Sequence, residues 1–156
     1  MLFRSACSNF GGYLKRPQWN GTDAEGWFDT GDLARLDDQG YIRISGRTKD
    51  VIIRGGENIP VVEIESLLYR HPSIAMVAVV AYPDERLGER ACAMVVPKPD
   101  QAFDLQAMVA YLKAQKVAQQ YIPERVEVLP SMPTTPSGKI QKFKLREQLL
   151  LLLQKS

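Results

Sequence analysis

Histidine and cysteine are scarce in this 156-residue chain, which has one histidine, His71, and two cysteines, Cys7 and Cys92. The cysteines lie far apart and form no metal-ligand spacing, so no metal site is expected, and they read as reduced thiols of a cytosolic protein. His71 stands beside Pro72 at the expected end of a helix and is not expected to act in catalysis. Charge of one sign is equally short. Twenty Lys and Arg against 18 Asp and Glu leave a formal charge of +2 and a pI near 8.5, too mild to point to nucleic acid. Long apolar runs are missing. The densest covers residues 149–153, against the roughly 20 residues of a membrane span, and reads as the packed end of a helix. Met1-Leu2-Phe3-Arg4-Ser5 lacks the apolar stretch of a secretory signal, and nothing repeats at a fixed period. What remains is ordinary globular composition, 45% hydrophobic and 24% charged, which is enough to bury a core.

Residues 1–25 mix aromatics with turn residues and predict no regular element. Two short strands are expected to flank Thr30-Gly31-Asp32. Asp37-Asp38-Gln39-Gly40 marks a turn, and Tyr41-Ile42-Arg43-Ile44 alternates as a returning strand. The charged pair Lys49-Asp50 precedes the β-branched triplet Val51-Ile52-Ile53 and the double glycine Gly55-Gly56, a strand followed by a hairpin turn. From Pro60 the period changes. Val61, Ile64, Leu67 and Leu68 share one helical face, with Glu63 and Glu65 near the helix start. The run 74–82 reads as a central strand buried on both faces, 83–89 as a polar loop, and 91–96 as the next strand. Asp104 predicts an N-cap for a helix striped by Leu105, Met108, Val109 and Leu112 and running to about Ala118. A third strand is expected over 125–129, a stiff-then-flexible loop over 130–138, and a final helix over 143–153. The fold class is therefore α+β: a domain of ~100 residues from residue 50, with a three-stranded sheet plus hairpin flanked by helices, preceded by a distinct β-rich segment over 1–49.

Three stretches stand out together: Thr30-Gly31-Asp32, Gly46-Arg47-Thr48-Lys49-Asp50, and Pro133-Thr134-Thr135-Pro136-Ser137-Gly138-Lys139. In order and spacing the chain resembles the C-terminal part of adenylate-forming acyl-CoA synthetases. That superfamily also contains firefly luciferase and the adenylation domains of peptide synthetases. The resemblance runs from about Phe10 to Leu149. It implies an AMP-forming acid–thiol ligase that turns a carboxylate into an acyl-adenylate with ATP and Mg²⁺, then passes the acyl group to the thiol of CoA. It also implies that residues 50–156 are a mobile lid and residues 1–49 the tail of a large N-terminal domain.

By this resemblance Lys139 is the catalytic lysine, bridging the substrate carboxylate and the α-phosphate during adenylation, where a positive charge offsets the charge that builds up. Asp32 would accept hydrogen bonds from the nucleotide ribose hydroxyls, and Arg47 would reach the ribose or a phosphate oxygen. Lys49 and Asp50 fall at the hinge, whose work is backbone torsion. Gly56, with Gly55 as its turn partner, would let the pantetheine arm of CoA pass close to the backbone. Arg54 and Asn58 are candidates for CoA phosphates or a facing domain.

The Ser/Thr/Gly-rich phosphate loop and the acyl pocket of such enzymes are absent from the 156 residues. The chain is therefore expected to be a portion of a longer enzyme, inactive alone and binding no cofactor stably. Its partners would be the remaining N-terminal domain, a fatty, alicyclic or aromatic carboxylate, and CoA, with no nucleic acid and no membrane span. One alternative replaces CoA by a carrier-protein phosphopantetheine thiol. Another treats the chain as a stand-alone α+β module that uses the basic C-terminal helix, with Lys142, Lys144 and Arg146, on nucleic acid.

Overall fold

The computed structural model describes residues 2–4 and 22–154, and the chain divides into two compact units, Met1–Lys49 and Asp50–Ser156. Unit one is an antiparallel sheet of β1 (Leu2–Arg4), β2 (Phe28–Leu36) and β3 (Ile42–Arg47), in that order. β1 falls where no regular element was expected; the other aromatic and turn motifs of the first 21 residues lie outside the described residues. The β2–β3 turn is built by Asp37, whose Oδ1 accepts from the N–H groups of Gln39 (3.0 Å) and Tyr41 (2.9 Å).

Thr30-Gly31-Asp32 does not separate two strands. One nine-residue strand passes through it. Leu2 pairs with Asp32 but Phe3 pairs with Asp29, so Thr30 and Gly31 bulge out of the ladder. Gly31 takes a φ of 68°, and the Asp29 carboxylate accepts its N–H at 2.8 Å, so the kink is absorbed within the strand.

Unit two is a sheet sandwiched between helices. Its elements are β4 (Ile52–Arg54), β5 (Glu57–Ile59), α1 (Val61–Leu68), β6 (Ile74–Asp84), β7 (Gly88–Pro97), α2 (Leu105–Ala114), β8 (Arg125–Val128) and α3 (Lys142–Leu153). The α+β class and the three-stranded sheet with an attached hairpin hold: β6, β7 and β8 form the sheet, and the β4–β5 hairpin joins through the Arg54↔Gly88 pair. The double glycine makes the hairpin turn, with φ of 58° at Gly55 and 87° at Gly56, values an L side chain rarely adopts.

The central strand is β7, not the 74–82 run. β7 pairs antiparallel with β6 on one side and parallel with β8 on the other, which places β6 at the end of the sheet. β6 is nevertheless buried on both faces because alternate residues enter two cores. Val77 and Val79 join Ala91, Ala93 and Val95 under α1 and α2, beside Ile64, Leu68, Met108 and Leu112. Ala78 and Val80 join Cys92 and Met94 on the opposite face, under Leu145 and Leu149 of α3. The outer edge of β6 is covered by a side chain: Glu65 of α1 accepts the Val79 N–H at 2.6 Å.

Several boundaries move. The 83–89 segment is a tight hairpin rather than a loop, because the Asp84 carboxylate accepts from the Arg86 and Leu87 N–H groups and pairs with Arg90 at 2.6 Å. Asp104 caps α2 through the Ala107 N–H at 2.8 Å, but the helix stops at Ala114, before Lys116 turns left-handed at φ 63°. Met108 and Leu112 are buried, whereas Leu105 is exposed. In the 149–153 run Leu149 is buried, and Leu150 and Leu151 face out. Among the described residues no helix is long and apolar enough to cross a membrane.

Candidate functional site

In unit one the ladder between β2 and β3 places Asp32 directly opposite Arg47. Arg47 Nε donates to Asp32 Oδ1 at 3.1 Å, so the two residues expected to meet a nucleotide meet each other. Asp32 does not cap its own turn; Asp29 does that work. Both side chains keep solvent contact, at 43% and 24% exposure. An ion pair this open contributes roughly 0–1 kcal/mol, so a ligand offering better donors can displace it. Thr48 Oγ1 donates to Gly31 O at 3.2 Å and ties the Gly-Arg-Thr stretch back to the Thr-Gly-Asp bulge.

In unit two the stretch before Lys139, expected as a loop, is folded back on itself. It is a closed miniature hairpin. Thr134 bridges to Ile140, Thr135 N–H donates to Lys139 O at 2.9 Å, and Gly138 N–H donates to Thr135 O at 2.8 Å. Below it, Gln141 N–H donates to Pro133 O at 2.8 Å and the buried Met132 anchors the base. Lys139 is exposed at the rim, with no carboxylate within ion-pair distance among the described residues. An ammonium held on an ordered turn, solvated and without a counter-charge, is available to an anionic group from elsewhere.

Asp50 is half-buried, and its Oδ1 accepts from Arg146 of α3 at 3.1 Å; Lys49 beside it is exposed. The division into compact units falls between these two residues. Gly55 and Gly56 sit on the β4–β5 turn. A Cβ at Gly55 would touch Leu87 Cδ2 at 3.4 Å, while one at Gly56 would meet no described atom within 4 Å. Arg54 is committed inside the unit, donating to Gln120 O at 2.7 Å and pairing with Glu124 at 2.8 Å, which leaves it poorly placed to reach a CoA phosphate. Asn58 is exposed on β5. The structure thus brings Asp32 to Arg47 and Gly55 to Gly56, and seats Lys139 and Asp50 on separate parts of unit two.

The basic C-terminal helix is not a solvated cationic face. Lys142 pairs with Glu65 at 2.7 Å and Arg146 with Asp50 at 3.1 Å, which removes two of the three charges the nucleic-acid alternative needed. Those two pairs are what sequence reasoning missed. The i, i+4 spacing of Lys142 and Arg146 gave a face, but not the acids from residues 65 and 50 that meet it. His71 accepts the Ser73 N–H at its Nδ1 and stacks edge-on against Phe103 and Tyr111; burial, then Lys98, pushes its pKa below the usual value. Cys92 is unpaired and buried, and burial pushes its thiol pKa up to about 12, so it is no nucleophile at neutral pH. No group of His, Cys, Asp and Glu suited to a metal occurs among the described residues.

Residues 63–139 match the model of the AMP-binding enzyme C-terminal domain. The chain is 48% identical over 144 residues to a medium-chain fatty-acid–CoA ligase of Escherichia coli, covering 90% of this chain and 25% of that protein. It is 44% identical over 143 residues to enterobactin synthase component E of the same organism, covering 90% and 26%. Among solved structures, ATP-bound MatB from Rhodopseudomonas palustris superposes with a TM-score of 0.74 at 34% identity, over 82% of this chain and 25% of that one. The chain therefore spans about a quarter of the length of the curated relatives it matches.

Proposed function

Through residues 63–139 this chain belongs to the AMP-binding enzyme C-terminal domain family of adenylate-forming enzymes, and from that we propose that it is the C-terminal portion of an ATP-dependent carboxylate–CoA ligase. The observation that carries the proposal is Lys139: an exposed ammonium, free of carboxylate partners among the described residues, on a turn closed by three main-chain hydrogen bonds around it. In the first half-reaction a carboxylate oxygen attacks the α-phosphorus of ATP and pyrophosphate leaves. In the second, the CoA thiol attacks the acyl carbon and AMP leaves. Lys139 would donate to the oxygens that gain charge in the first step and be withdrawn for the second. Asp32 would exchange its weak bond to Arg47 for ribose hydroxyls, freeing the guanidinium to turn to the same nucleotide.

Lys49 would be the pivot, with Asp50 held to α3 on its C-terminal side. Gly56 would line the pantetheine path; its left-handed backbone, at φ 87°, favours glycine, although a Cβ there would meet no described atom within 4 Å. The carboxylic acid is fatty, alicyclic or aromatic in this reading; the name of the medium-chain fatty-acid–CoA ligase among the relatives favours the fatty member of that range alone. Residues 1–49 would be the tail of the large N-terminal domain. ATP, Mg²⁺, the acid and the phosphate loop would all be held by that domain, so the chain alone is inactive.

The test is to assay the chain alone and the chain fused behind the N-terminal three-quarters of the Escherichia coli fatty-acid–CoA ligase. The fusion is expected to exchange pyrophosphate into ATP and to form acyl-CoA; the lone chain is expected to do neither. Lys139→Ala in the fusion should lower the adenylation half-reaction by about 10²–10³-fold and leave thioester formation from preformed acyl-adenylate within several-fold. Equal loss of both steps would overturn the role of Lys139. Acyl-CoA formation by the lone chain would overturn the dependence on a larger domain.

A further inference from the structure

Lys139 is held by one residue more than by any other. Thr135 binds its backbone from both sides: Thr135 N–H donates to Lys139 O at 2.9 Å, and Thr135 Oγ1 accepts from Lys139 N–H at 3.1 Å. The Thr135 carbonyl also accepts from Gly138 N–H at 2.8 Å, which closes the inner turn. The hydroxyl is itself oriented, lying 2.9 Å from Ser137 Oγ. Thr135 is half-buried while Lys139 and Ser137 are exposed, so the threonine is the fixed member of the turn and the lysine its presented member.

We infer that Thr135 is a positioning residue for Lys139, and that its side-chain hydroxyl sets where the ammonium points. The inference rests on the proposed adenylation role of Lys139. The main-chain half of the clamp is available to any residue at 135; the Oγ1 half requires Ser or Thr. A β-branched threonine is stiff about χ1, so its oxygen stays aimed at the Lys139 amide. Valine has nearly the same shape and no acceptor. With Thr135→Val the Lys139 N–H, at an exposed site, is taken over by water, so the fold survives while the turn loses its fixed pitch. A misplacement of about 1 Å at a reacting group can cost on the order of 100-fold in rate.

Three variants in the fused enzyme and one measurement on the chain itself test this. Thr135→Val should lower pyrophosphate exchange by about ten- to a hundredfold and leave thioester formation from preformed acyl-adenylate unchanged, and Thr135→Ser should restore exchange. In a Lys139→Ala background, Thr135→Val should add no further loss, since a residue acting through Lys139 has nothing left to position. On the chain alone, hydrogen exchange at the Lys139 amide should speed up in Thr135→Val and not in Thr135→Ser. Unchanged pyrophosphate exchange in Thr135→Val, or additive losses in the double variant, would overturn the inference. Failure of Lys139→Ala to affect adenylation would instead overturn the reading it rests on.

Discussion

The two units of this chain are held together by different physics. Among the described residues every buried side chain belongs to unit two, where two apolar clusters lie on opposite faces of one sheet. Unit one has none. Leu36, Tyr41, Ile42 and Ile44 of its hairpin are 53–68% exposed, and its order comes from Asp37, Asp29 and Gly31, turn chemistry acting over a few residues. Local hydrogen bonds can shape a ribbon, but an isolated hairpin is marginal in water, whereas burial across a sheet makes a unit that melts cooperatively. The candidate residues divide the same way: the Asp32–Arg47 pair sits on the ribbon, and Lys139 on a turn rooted in the core by Met132.

The largest expected break in this contrast is Leu145→Ala, which empties a fully buried site under the sheet. It should cost about 2–5 kcal/mol. Both tryptophans, at positions 19 and 27, fall within the span of unit one, and the three described α-helices within unit two. The circular dichroism transition should therefore drop while the tryptophan fluorescence transition stays in place. Equal movement of both would mean that the units unfold as one.

A second difference appears on raising the pH. The Cys92 thiol has a folded pKa raised by burial from 9.0 to about 12. The folded state thus binds this proton more tightly than the unfolded state. Its contribution is fully present below pH 9 and is lost as pH climbs toward 12. Denaturation followed by circular dichroism should show this alkaline loss, and Cys92→Ala should flatten it; an unaltered slope in that variant would remove the thiol as its cause. The smallest effect should be at Ile44→Ser. At 53% exposure in the ribbon it should change either transition by no more than ~0.5 kcal/mol, and a large shift would show that this face is covered.

Much of this was legible residue by residue. The Asp104 cap, the Asp37 turn, the Gly55-Gly56 hairpin and the stripe of Val61, Ile64 and Leu68 are local patterns, and each appears where its pattern sits. The motifs that carry Asp32, Arg47 and Lys139 stand out in the sequence, but the contacts around these residues do not. Residues 130–138 looked loose because Pro, Thr, Ser and Gly signal a break in regular structure; they do not signal that Thr135 closes on Lys139. Lys142 and Arg146 looked solvated because their acids come from residues 65 and 50, 77 and 96 positions earlier in the chain.

By itself, then, the sequence determined turn positions, helix faces, the α+β class and the chemical character of the exposed lysine, all of which depend on neighbours within a few residues. The tertiary structure decided which apolar strand is central, how the edge of β6 is covered by Glu65, and which cations are neutralised. β6 and β7 are both apolar runs of similar length, and only the arrival of β4 and β8 beside β7 distinguishes them. Such pairings are set by packing across long chain separations, to which local composition carries no pointer.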